Sequence, residues 1–245
     1  MSYRLMSVTV EDGKDIARNN TTAFWTDPSW RLGWTIPLET LIRHNELRGP
    51  ANLLRDREIK RYQKAVDEDG NLVGYVRFRL PEGDKWRDAW PEARVPDVSD
   101  EERKRIDELF AEGTKDYEAG IRDLSIVDEP MSAMHHKLRE ARKGHMEIEF
   151  LAVHPDHRNK GIANRLVRKG IEIADQLGLD MYVLALEGGY KIYKGCGFQV
   201  LEHLELDDSV YGGAGVFHRY YLERKAVGGP VVGKDDGPGL PIETV

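Results

Sequence analysis

The chain has 245 residues, long enough for one large domain or two small ones with a buried core. Charged residues make up 32% and the formal net charge is -7, which predicts a soluble protein and argues against a broad basic surface for nucleic acid. A single cysteine, Cys196, excludes an internal disulfide framework and a cysteine-rich metal site, and no apolar run reaches the roughly 18 residues of a membrane span.

The N-terminus alternates polar and apolar residues and lacks the apolar region of a signal peptide, so a cytoplasmic location is the expectation. Residues 3–10 read as a strand, after which Glu11 and Asp12 open a helix to about Phe24, acids being favoured in a first turn. Trp25, Trp30 and Trp34 follow, in a segment interrupted by Pro28 and Pro37, and then a second helical region over 38–60. Two strands, 62–66 and 72–80, are joined by a loop whose Gly70 and Asn71 suit a hairpin. From 81 to 144 the character changes: Pro81, Pro91 and Pro96 punctuate a stretch with Trp86 and Trp90. Asp100, Glu101 and Glu102 then start a charged helix with an apolar stripe of Ile106, Leu109 and Phe110, and another helix spans 131–142. This stretch lacks a core of its own and reads as a helical insertion lying on the main domain.

Residues 146–153 form an apolar strand, 161–177 an amphipathic helix with Ile162, Leu166, Ile173 and Leu177 on one stripe, and 181–186 a central strand. Strand, helix and strand with short joins imply a right-handed parallel crossover. A short helix near 190–194 and strands at 199–206 and 216–224 complete a single domain over 1–225, and the Gly- and Pro-rich 226–245 read as a disordered tail.

The turn Arg158-Asn159-Lys160-Gly161-Ile162-Ala163 runs from strand to helix, and the first N–H groups of a helix bind anions because they have no intrahelical partner. Its spacing matches neither Gly-x-Gly-x-x-Gly nor Gly-x-x-x-x-Gly-Lys-Ser/Thr, which sets aside two common nucleotide-binding readings. Instead, Arg158, Gly161 and Ala163, preceded by Val153-His154-Pro155 and followed by Tyr193 four residues before Gly197-Phe198, closely resemble the GNAT superfamily of acyl-CoA-dependent N-acyltransferases.

The resemblance implies a mixed α/β fold: a mostly antiparallel sheet containing one splayed parallel strand pair, here with a helical insertion. It implies acetyl-CoA as co-substrate, with the pantetheine arm along the main chain of Leu151, Ala152 and Val153, and the pyrophosphate at Arg158, Asn159, Lys160, Gly161, Ile162 and Ala163. Small residues at 161 and 163 would let the phosphates approach the backbone; the Arg158 and Lys160 side chains read equally as contacts or as solvated charges. One departure is Leu186-Glu187-Gly188-Gly189, where many members carry an asparagine.

An acceptor amine resembling lysine is almost wholly protonated at neutral pH, a handicap of roughly 4 to 5 kcal/mol, so a base or a water relay is expected. Glu147 stands where some members carry a catalytic glutamate, and strict alternation would put Glu147 and Glu149 on one face with Leu151 and Val153. Solvent exposure or pairing with cations is the other reading of both, favoured for Glu149. His145 shares their parity at the strand's edge. Tyr193 would protonate the departing thiolate, or else fill space beside Phe198. Cys196 reads as a small buried hydrophobe, and direct transfer within a ternary complex is expected over an acyl-cysteine route. Trp25, Trp30, Trp34, Trp86 and Trp90 are candidates to wall an acceptor groove, or to pack a core. The expected acceptor is a small-molecule amine, with protein lysine or N-terminal acetylation and a non-catalytic acyl-CoA-binding regulator as alternatives. No metal, membrane or nucleic acid is expected to take part.

Overall fold

The computed structural model describes residues 2–228. Beyond residue 228, the expected tail lies outside the described residues. A seven-stranded sheet runs in the order β1-β2-β3-β4-β5-β7-β6. Its strands are β1 (Arg4–Ser7), β2 (Lys60–Val66), β3 (Leu72–Arg79), β4 (Met146–Val153), β5 (Met181–Leu186), β6 (Gln199–Asp207) and β7 (Val216–Arg224). β4 and β5 pair in parallel and every other neighbouring pair is antiparallel. The β2–β3 loop closes as expected, with Gly70 at φ 88° and the Asp67 carboxylate accepting from the Asp69 and Asn71 N–H groups.

The helices are α1 (Gly13–Phe24), α2 (Pro28–Leu32), α3 (Leu38–Leu54), α4 (Asp84–Arg87), α5 (Asp100–Thr114), α6 (Ser125–Ala141), α7 (Ile162–Leu177) and α8 (Glu187–Gly195). α3 stops short of the expected 60 because Arg55 is extended and Asp56 takes φ 57°, which turns the chain into β2. Alternation along β3 sends Val76 and Phe78 to one face, with Leu166 of α7, and Tyr75 to the other, with Ile16 of α1, Leu53 of α3 and Ile106 of α5. Each face therefore buries its own apolar stripe. Gly170 lets α7 lie directly on the Phe78 ring, where a Cβ would clash.

The stretch 81–144 has no separate core. Trp90 and Ala93 join the cluster under α7, Val95 and Ile106 the opposite one, and Leu124 and Val127 pack with Leu206 of β6. Arg61, buried on β2, anchors its first part by donating to the carbonyls of Ala89 at 2.8 Å and Arg87 at 2.6 Å.

Candidate active site

β4 and β5 stay together only from Met146/Met181 to Ile148/Val183, and beyond that point no pairing joins them among the described residues. The rest of β4 keeps its β3 partner, Val153 facing Gly74 and Leu151 facing Val76. The His154 N–H donates to the Val73 carbonyl, so by the alternation of an antiparallel ladder Ala152 also addresses β3 while Leu151 and Val153 turn their main-chain groups to the opening. Those groups form an edge onto which an extended amide chain can pair. Asn19 of α1, buried, donates to the Ala152 carbonyl at 3.3 Å and fixes α1 beside this edge.

At the end of the opening the chain enters α7. Asn159 at φ 60° and Gly161 at φ 78° bend it sharply, and the N–H groups of Ile162, Ala163 and Asn164 are the first of the helix. A Cβ at Gly161 would meet no atom within 4 Å, so the space before the helix is open to a bulky anion. The Arg158 guanidinium reaches back to the Ala23 carbonyl at 2.8 Å, and Lys160 to the Asp156 carbonyl at 2.9 Å. Both side chains thus brace the turn.

Tyr193 of α8 is buried, its ring edge-on to Phe198 at 5.7 Å. Burial, then the neighbouring Cys196, raises its phenol above the ordinary range, so it holds its proton at neutral pH. Cys196 is buried as well, its thiol directed at Asn164 Oδ1 at 3.3 Å, and burial raises its pKa. The Leu186-Glu187-Gly188-Gly189 stretch is the start of α8, and Glu187 accepts from the His218 N–H at 2.7 Å.

Glu147 differs from the expectation. Arg77 faces Phe150 while Phe78 faces Ile148, so Glu149 is an extra residue of β4, a bulge that reverses the alternation. Ile148 before it and Leu151 and Val153 after it share the α7 face, whereas Phe150 and Ala152 take the other. Glu147 and Glu149 therefore lie opposite Leu151 and Val153. There Glu147, 4% exposed, accepts at Oε2 from Arg139 Nη2 at 2.7 Å, Arg139 Nε at 3.1 Å and the Tyr182 hydroxyl at 2.8 Å, while His135 Nε2 lies 3.1 Å from Oε1. Burial opposes its charge, but the His135, Arg139 and Tyr182 contacts outweigh that and bring its pKa down to about 2. Glu149 pairs with Arg77 at 2.7 Å and Arg139 at 3.2 Å. His145 pairs with Glu223 at 3.3 Å and Asp180 at 3.6 Å, and burial lowers its pKa.

His135 and Arg139, which the sequence reading passed over, stand four residues apart on α6. With Val127 and Met131 they form one face of the helix. Val127 packs by β6, the Met131 carbonyl accepts from Tyr221 of β7 at 2.9 Å, and His135 and Arg139 reach Glu147 of β4. α6 thus crosses the sheet to the neck of the opening.

The tryptophans divide. Phe150, next to the bulge, meets Phe24 at 6.0 Å; Phe24 meets Trp30 at 5.8 Å, and Trp30 meets Trp25 at 6.5 Å and Trp34 at 5.5 Å. Trp86 is not among them. It packs with the cluster under α7, on the opposite face of the sheet, because Arg61 holds its segment there.

A sheet that opens between its one parallel strand pair and ends at the first turn of a helix is the mixed α/β arrangement that the sequence resemblance implies for an acyltransferase. Residues 84–198, a little under half of the chain, match the sequence model of the Acetyltransferase (GNAT) family. The fold is shared with the histone acetyltransferase HPA2 and related acetyltransferase from Corynebacterium glutamicum, at 16% identity and TM-score 0.55 over 95% of this chain and 100% of that one. It is shared also with arylalkylamine N-acetyltransferase 2 from Aedes aegypti, at 17% identity and TM-score 0.55 over 92% and 99% of the two chains. No curated protein sequence matches the chain.

Proposed function

We propose that the protein transfers the acetyl group of acetyl-CoA directly to a primary amine of a small molecule. The observation that carries this reading is the opening between β4 and β5, with Leu151 and Val153 turned to it and the first turn of α7 at its end. The pantetheine amides pair with β4 there, and the pyrophosphate takes the N–H groups of residues 161–164, which places the thioester toward the neck, near Ile148 and Val183. Tyr193, held neutral by burial, supplies the proton that the leaving sulfur needs.

The acceptor meets the thioester from the face that carries Glu147, Phe150 and the Phe24–Trp30–Trp34 ribbon. His135 and Arg139 bring α6 over Glu147 on that face, and a helix laid across the approach favours a compact amine over an extended protein tail. Glu147 takes part as a fixed anion, its oxygens already committed to four contacts.

Thiol release from acetyl-CoA with a panel of small primary amines tests the proposal. Tyr193→Phe is expected to lower kcat about 100-fold while the protein still binds CoA. Tight CoA binding without turnover on any amine would mark a non-catalytic acyl-CoA-binding protein, and turnover confined to peptides would move the acceptor to protein.

A further inference from the structure

The proton of the acceptor amine needs a destination, and Glu147 is poorly placed to be it. An ionised carboxylate accepts about four hydrogen bonds, and Glu147 already takes four: three at Oε2, from two N–H groups of Arg139 and the Tyr182 hydroxyl, and one at Oε1, from His135. A proton on either oxygen would neutralise the carboxylate and weaken its charge-assisted contacts to Arg139 inside a buried network. His135 touches the same carboxylate from the outside: its side chain is 35% exposed, against 5% for Glu147. We propose that His135 is the base that deprotonates the acceptor amine, through Nδ1, with Glu147 as the carboxylate that positions it. This rests on the acetyltransferase reading and adds a residue from the insertion to it.

The tautomer follows from the contact. A carboxylate only accepts, so His135 Nε2, 3.1 Å from Oε1, carries the hydrogen and Nδ1 keeps its lone pair. The ring also stands edge-on to Tyr221 at 6.4 Å, and Tyr221 is itself tied to the Met131 carbonyl on the preceding turn of α6. The ring is thus held on two sides. The titratable and charged groups around the dyad are Glu147 and Glu149 of β4, Arg139 of α6, Arg77 of β3, Tyr182 of β5 and Tyr221 of β7. Imidazole is the side chain whose ordinary titration lies closest to neutral pH, which suits a group that must accept a proton and give it up again in each turnover.

In the step, the bond between the amine nitrogen and the acetyl carbon forms and the carbon–sulfur bond breaks. The amine proton passes to His135 Nδ1, and the sulfur takes the Tyr193 hydroxyl proton. His135 and Tyr193 then return to their starting states through solvent, so a neutral amine and acetyl-CoA give amide and free thiol with no proton left over. An acceptor that arrives as an ammonium ion releases one further proton to water.

The experiment compares the full-length protein with His135→Ala, His135→Gln and His136→Ala, using the amine that the wild type turns over fastest. Rates are measured across pH with and without added imidazole, and CoA affinity by calorimetry. Gln keeps an N–H donor for Glu147 but is no base, so His135→Gln and His135→Ala are both expected to lose about 100-fold in kcat with CoA affinity unchanged. The acidic limb of the wild-type pH profile flattens in both, and imidazole restores part of the His135→Ala rate. His136→Ala, altered at the exposed neighbour, behaves as wild type. A His135→Gln variant with wild-type kcat, or an equal loss at every pH that imidazole does not relieve, would overturn the proposal while leaving the acetyltransferase reading intact. A wild type that releases no thiol with any amine would overturn both.

Discussion

Glu147 keeps its charge in a buried place only because its neighbours compensate. Burial opposes ionisation most, and the donors His135, Arg139 and Tyr182 together reverse the effect, leaving the carboxyl near 2 against an ordinary 4.5. A folded-state pKa below the unfolded one contributes stability that is present above the unfolded value and is lost as pH falls through the folded one. The contribution is about 3 kcal/mol at neutral pH. Glu147→Gln is therefore expected to be less stable than the wild type by about that amount at neutral pH, with the gap closing between about pH 4.5 and 2, as read by denaturant unfolding. A gap independent of pH would show that the side chain's shape matters and its charge does not. Tyr193 follows the opposite logic: burial removes its anion from reach, and the neutral phenol is the form an acid must have.

At the scale of elements, the turn into α7 is the part that local chemistry decides. Gly161 sits at φ 78° with open space where a side chain would project, so Gly161→Glu adds both backbone strain and a negative charge at the position proposed for the pyrophosphate. CoA affinity is expected to fall by at least about 100-fold in that variant, measured by calorimetry, with the fold intact. Normal binding would place the phosphates elsewhere. This turn was legible in the sequence because its residues are neighbours along the chain, and so was the β2–β3 hairpin. The parity of Glu147 was not, since the bulge at Glu149 exists only through pairing with β3 and no alternation rule signals it. His135 and Arg139 showed the four-residue spacing of a helix face, but what that face meets depends on where α6 is laid across the sheet. Trp86 looked like a companion of Trp30 by residue type alone, and Arg61 keeps it on the other side.

Across the whole molecule, the two faces of the sheet divide the work. The α7 side supplies the turn proposed to bind the pyrophosphate and a dense core, and the α1, α2 and α6 side supplies the aromatic ribbon and the Glu147 network. The insertion belongs to both, giving Trp90 to one face and α6 to the other. On the proposed reading, the donor and the acceptor approach the neck of one opening from different directions, as direct transfer requires. Hydrogen–deuterium exchange of the full chain, with and without CoA, tests the position of that opening most directly. Binding is expected to protect the amides of Leu151 and Val153 and of residues 161–164, with β6 and β7 unchanged. Protection confined to other elements, or absent at both β4 and the first turn of α7 under saturating CoA, would contradict the account.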